Sequence, residues 1–180
     1  MSWSWFASRS AGLAWCGILA LAAPLSVSGQ NNYATQGTEY SLAGTLPGDQ
    51  VFPDLSLNAS GGFLVWEDNA TDGDEWGISA LRLDGNLSAA WSSFRVNQQG
   101  AFDQERPRVA MLNGGGAVFV WQGGRQGFQR IYARFLSSSN TWATGDILVN
   151  TFTNNSQLTP TVAVLANGNV VVAWGSFNQE

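Results

Sequence analysis

Asp103-Gln104-Glu105-Arg106-Pro107-Arg108-Val109-Ala110-Met111-Leu112, then Asn113-Gly114-Gly115-Gly116, then Ala117-Val118-Phe119-Val120-Trp121, is the stretch that decides the fold. Arg108 to Leu112 alternates apolar with other residues, the pattern of a half-buried strand. Ala117 to Trp121 is continuously apolar, the pattern of a strand buried on both faces. Asn and Gly between them tolerate positive φ and predict a hairpin turn. Pro107 is expected at the first residue of its strand, where a missing N–H is harmless.

The same pattern occurs twice more. Asp49-Gln50-Val51-Phe52-Pro53 leads through Leu55 and Leu57 to Gly61-Gly62-Phe63-Leu64-Val65-Trp66, and Ser156-Gln157-Leu158-Thr159-Pro160 leads to Gly168-Asn169-Val170-Val171-Val172-Ala173-Trp174. The prolines lie 54 and 53 residues apart, the tryptophans 55 and 53. Ile78-Ser79-Ala80 matches Ile131-Tyr132-Ala133, and Phe94-Arg95-Val96-Asn97 matches Ile147-Leu148-Val149-Asn150, both at 53. One period shared by so many matches marks an internal repeat.

Each repeat predicts four strands, the third over Trp76 to Leu83 or Arg130 to Leu136, the fourth over Ser93 to Val96 or Asp146 to Val149. The fold class is all-β, with four-stranded antiparallel blades of about 53 residues forming an incomplete β-propeller. A single blade has two apolar faces and buries them only by stacking on neighbours. A β-sandwich is the alternative.

The predicted organisation is a signal peptide over 1–29, an N-terminal segment over 30–48 with a stray outer strand at 39–42, blade 1 over 49–102, blade 2 over 103–155 and a partial blade 3 over 156–180. The leader reading rests on Arg9, the apolar run from Ala11 to Leu25, and the small residues Ser26-Val27-Ser28-Gly29. That run is short for a membrane span, so no span is expected after cleavage. Secretion to the extracellular space or the cell surface follows. One stray strand, two blades and half a third suggest a longer chain whose remaining blades are partners of these.

The pattern Gly-Asp-Gln-x-x-Pro-x-Val-Ala-x-Leu, Gly-Gly-x-Val-Val-x-Trp and Ile-Tyr-Ala-x-Arg-Phe is carried by Gly48-Asp49-Gln50, Asp103-Gln104, the tryptophans and Ile131-Tyr132-Ala133-Arg134-Phe135. It resembles the tandem β-propeller-type repeats of large secreted or surface-bound bacterial proteins. The resemblance implies a non-catalytic extracellular role and no defined activity.

Composition narrows the function. The chain has no His, no Lys, one Cys and a net charge of −5. Such a balance argues against nucleic acid as a partner. Absence of His excludes Ser-His-Asp and Cys-His catalysis. The reading is an exported, non-catalytic scaffold for binding or display, with an unidentified protein or glycan as ligand. The alternatives are a structural spacer of an adhesin-like chain, or part of a propeller hydrolase whose catalytic residues lie beyond residue 180.

Glu67-Asp68-Asn69-Ala70-Thr71-Asp72-Gly73-Asp74-Glu75 holds five acids in nine residues. Ca²⁺ takes oxygen ligands of this kind. Asp68, Asp72, Asp74 and Glu75 are therefore the candidate ligands of a single Ca²⁺, weighed against a solvated Asp-Gly turn. The matching segment from Gln122 to Phe128 carries no acid, so the site would not repeat. Asp49-Gln50 and Asp103-Gln104 read as structural, Asp capping the turn and Gln bonding to a neighbouring blade. Trp66, Trp121 and Trp174 read as core. Trp76, Trp91 and Trp142 are less regular and read as blade packing, with an exposed aromatic surface as the alternative, and Arg106 with Arg108 beside Glu105 as a surface ion pair, with a clamp for a carboxylate ligand as the alternative.

Overall fold

The computed structural model describes residues 37–178 and, ahead of them, the backbone of three two-residue strands. These are β1 (Gly17–Ile18), β2 (Leu21–Ala22) and β3 (Ala34–Thr35). The expected leader over 1–29 otherwise lies outside the described residues. β4 (Tyr40–Ser41) falls within the expected strand at 39–42 and pairs with β1, Gly17 opposite Ser41, while β2 pairs with β3.

The chain then forms antiparallel sheets in sequence order. The first sheet is β5 (Gln50–Asn58), β6 (Gly61–Asp68), β7 (Gly77–Asp84) and β8 (Phe94–Arg95). The second is β9 (Gln104–Met111), β10 (Ala117–Gly123), β11 (Arg130–Leu136) and β12 (Ile147–Leu148). A hairpin of β13 (Gln157–Val164) and β14 (Val170–Ser176) follows. The described residues contain no helix, and so none long and apolar enough to cross a membrane. The chain is all-β, as its alternation and turns predict.

Pro53, Pro107 and Pro160 lie inside β5, β9 and β13, not at their first residues. Each sits at a register shift, between Val51 and Asp54 in β5, opposite Val120 and Gln122 in the second sheet, and between Leu158 and Thr161 in β13. A bulge leaves its extra residue out of the ladder, so a proline there removes no paired N–H. The preceding residues Phe52, Arg106 and Thr159 all take positive φ, at 49°, 54° and 51°. The repeat therefore preserves a backbone irregularity through three different side chains.

Burial explains the composition of the second strands. Every residue of β6 and β10 is buried, because each strand has a covered face on both sides. Between the first two sheets lie Phe63, Val65, Ile78 and Ala80 from one, and Ala117, Phe119, Trp121 and Leu136 from the other. Phe63 meets Phe119 edge to face at 5.6 Å. Val118, Val120, Ile131 and Ala133 face the β13–β14 hairpin and pack on Val162, Val172 and Trp174. Leu64, Trp66, Leu81 and Leu83 on the first sheet's other face are covered by Leu42, Ala43 and Leu46. β14 alternates instead, with Val171 48% exposed, because one of its faces meets solvent.

Trp142 takes the packed place expected of it, and not the exposed one. It packs against the core between the first two sheets, 5.8 Å from Phe119 and 6.0 Å from Phe94, while Trp91 is 40% exposed. The glutamines differ from expectation. Gln50 Nε2 donates to the carbonyls of Pro47 and Gly48, Gln104 Nε2 to those of Ala101 and Phe102, and Gln157 Nε2 to that of Asn154. Each ties its strand to the loop just before it, not to a neighbouring sheet.

Candidate functional site

Antiparallel order brings the start of the first strand, the end of the second and the start of the third to one end of each sheet. This rim carries most of the chain's acids: Glu67 and Asp68 at the end of β6, Asp72 to Glu75 in the loop after it, and Asp103 and Glu105 around the start of β9.

The four expected calcium ligands are engaged separately. Asp68 is buried, and its Oδ1 accepts from the Ala70 N–H and the Thr71 hydroxyl. Asp68 Oδ2 is buried with no hydrogen-bond partner. Asp72 Oδ2 accepts from Asn97 Nδ2 at 2.9 Å, and its Oδ1 from the Asp74 N–H at 3.3 Å. Asp74 Oδ2 accepts from the Phe102 N–H at 3.0 Å. Among the described residues, no three acidic side chains form one cluster.

Glu75 stands apart from the other three. It is exposed, takes a positive φ of 39°, and its carboxyl is raised above the usual range, chiefly by the neighbouring charge of Asp103. Like charges as neighbours make ionisation of Glu75 less favourable. The Asp103 carbonyl accepts from the Gly124 N–H at 2.9 Å, so the pair adjoins the loop after β10.

Glu67 is buried, and its carboxyl is raised to about 7, first by desolvation and less by the charges of Glu105 and Asp103. Its Oε1 accepts from the Arg106 backbone N–H on the next sheet. Glu105 accepts from Gln122 Nε2 at 3.0 Å, and Arg106 stacks its guanidinium on the Phe52 ring at 3.7 Å. Arg108 NH1 donates to the Pro107 carbonyl. The expected ion pair between these arginines and Glu105 does not form.

Between the loops of the first and second sheets, on the same rim, lies a cleft of about 280 Å³. It exists because the repeat changes there. Where the first sheet has Asp68 and Asn69 after Trp66 and Glu67, the second has Gly123 and Gly124 after Trp121 and Gln122. Tyr132 stands where the first sheet has Ser79, stacked on buried Trp121 at 6.0 Å. Phe102 and Phe128, about half exposed, flank the opening with Arg125 and Asp146. Sequence reading missed this cleft, although the loss of all acids from Gln122 to Phe128 signalled a changed loop.

No protein-family model and no curated protein matches this chain. Among solved structures it is similar to the crystal structure of endo-arabinase from Bacteroides thetaiotaomicron VPI-5482, at 13% identity and a TM-score of 0.53, covering 82% of this chain and 58% of that one. The chain thus spans less than two thirds of that protein's length. The likeness is one of fold. It corrects the expectation of a non-catalytic binding or display scaffold, and of a spacer with it, because the solved structure sharing this arrangement is an enzyme. The inference from missing His excluded triads but not chemistry by carboxylates alone, which glycoside hydrolysis uses.

Proposed function

We propose that the successive sheets are blades of a β-propeller, and that the protein is a glycan-directed hydrolase of that architecture. The carrying observation is the fold likeness to an endo-arabinase. Support comes from the repeat itself. Asp54 Oδ2 accepts from the Val109 N–H at 2.9 Å, and Ser56 Oγ from the Met111 N–H at 3.0 Å, joining first strands one repeat apart. Such ordered displacement from sheet to sheet is what a propeller requires.

Glu75 and Asp103 are the carboxylate pair assigned to acid–base work. Glycoside hydrolysis works through two carboxyl groups flanking the scissile bond. Arg125 and the aromatic side chains of the adjoining cleft would hold the sugar. Export through the 1–29 leader belongs to the same reading.

The test is release of reducing ends from linear arabinan and other plant polysaccharides by the full chain. Activity lost in both Glu75→Gln and Asp103→Asn, with unchanged melting temperatures, is the expected result. Activity unchanged in both variants, or hydrolysis of none of these glycans, overturns the assignment.

A further inference from the structure

We propose that the cleft between the first two sheets is a subsite for one neutral sugar unit, stacked on Tyr132 and hydrogen-bonded to Arg125 and Asp146. The inference rests on the hydrolase reading for the class of ligand, and on the geometry of the cleft for everything else.

The floor is made by glycine. A Cβ on Gly123 would lie 2.7 Å from Gln104 Oε1, so a side chain there would have to displace the glutamine that anchors β9. Asp68 at the matching place in the first sheet fills that space with a carboxylate. The second sheet is thus hollow where the first is filled, and the hollow is walled by an aromatic ring held in place from behind by Trp121. Apolar rings with a few placed polar groups are the usual make-up of a small-molecule site.

The polar groups define the ligand. Arg130 lines the cleft, but its guanidinium is engaged by the carbonyls of Phe128, Gln129, Thr153 and Asn155. Arg125 is different: its side chain makes no hydrogen bond to any described residue, and it lines the same cleft. Asp146 Oδ2 accepts from the Gln98 and Gln99 N–H groups, whereas its Oδ1 is buried and has no partner. A donor and an acceptor, Arg125 and Asp146, line one small space. Sugar hydroxyls donate and accept, so they satisfy both. A carboxylate ligand would satisfy Arg125 but oppose Asp146. A volume of about 280 Å³ falls just below the range of about 300–1,000 Å³ for sites that take drug-sized ligands, which suits one ring.

The experiment is calorimetric titration of the full chain with arabinotriose, cellotriose and trigalacturonate, repeated on Arg125→Ala and Tyr132→Ser. The Arg125 side chain is exposed and makes no hydrogen bond to a described residue, so its removal leaves the fold intact, and Tyr132→Ser installs the residue that the first sheet carries. Saturable binding of a neutral trisaccharide, weakened at least tenfold in both variants, is the expected result. Binding of neither neutral probe, binding indifferent to both variants, or preference for trigalacturonate would each overturn the proposal. Hydrolysis of arabinan, measured on the same samples, reports on the hydrolase reading alone. Binding without hydrolysis supports the subsite and counts against the enzyme.

Discussion

Glu67 of the first sheet and Gln122 of the second make the same bond. Glu67 Oε1 accepts from the backbone N–H of Arg106, and Gln122 Oε1 accepts at 2.7 Å from that of Thr159. Arg106 and Thr159 are the bulged residues of the next first strand, each with positive φ and each just before the repeat's proline. A bulge turns its N–H out of the ladder, and a buried orphan donor costs about 1–3 kcal/mol. The side chain after the core tryptophan supplies the missing acceptor, so each sheet is latched to its successor at its least regular point.

Burial of the Glu67 carboxyl gives the first interface a pH dependence that the second lacks. Glu67 ionises in the fold at about 7, above its ordinary value near 4.5. The unfolded chain therefore releases this proton first as pH rises. The contribution is fully present below about pH 4.5, declines between about 4.5 and 7, and is absent above. Glu67→Gln should abolish this decline and raise stability at pH 8 by on the order of 2 kcal/mol. Urea unfolding at pH 5 and pH 8 measures it; an equal response of both proteins to pH would refute the raised Glu67 carboxyl.

Asn97 and Asn150 are a second matched pair. Asn97 Oδ1 accepts from the Ile78 N–H at 2.8 Å and its Nδ2 donates to the Gln99 carbonyl, while Asn150 bonds to Ile131 and Phe152 in the same way. Both are buried. Replacing either with Ala should cost about 2–3 kcal/mol, because one side chain serves a donor and an acceptor. Asp in place of Asn sets a buried carboxylate against the Gln99 or Phe152 carbonyl, and at 97 against Asp72 as well, and should cost more. Chemical denaturation of the four variants gives the ranking.

The acidic loop holds itself together through hydrogen bonds. Asp72→Ala removes acceptors for Asn97 and Asp74 and should cost about 1 kcal/mol. That loss should be the same with Ca²⁺ or EDTA, since no three of the described acids converge. Thermal melts of both proteins in the two buffers decide the point. A wild-type melting temperature that falls in EDTA would revive the calcium expectation for Asp68, Asp72, Asp74 and Glu75.

Two glycines with similar backbone angles should respond differently to Ala. Gly61 has φ of 109° and its Cβ would collide with the Leu83 carbonyl and the Asp84 backbone across the hairpin. Gly73 has φ of 90° and open space around it. Gly73→Ala should cost about 1 kcal/mol of backbone strain, and Gly61→Ala several times more. Equal melting temperatures for the two variants would contradict the difference.

Much of the architecture was legible in advance. The 53–54-residue spacing located β5, β9 and β13, the continuous apolar runs located the doubly covered β6 and β10, and the Asn-Gly segments located the hairpins. Local pattern suffices there because strand periodicity and turn chemistry act over a few residues. The prolines were displaced from strand starts into bulges, since nothing in the local sequence distinguishes the two placements that spare an N–H.

The candidate site was far less legible. Asp103 was read as a turn cap, yet it lies beside Glu75, 28 positions earlier in the chain. The cleft joins loops from Gln99 to Gln104 and Gly123 to Phe128 with Asp146. What the amino-acid order determined by itself is the strand, the turn and the repeat, each a consequence of short-range sterics and apolar period. Only the tertiary structure decided which departures from the repeat matter. Gly123 for Asp68 and Tyr132 for Ser79 read as minor variations along the chain, and they make one cavity because two sheets bring them face to face with a loop from the preceding repeat. Proximity across sheets is set by packing of buried faces, which no local pattern encodes.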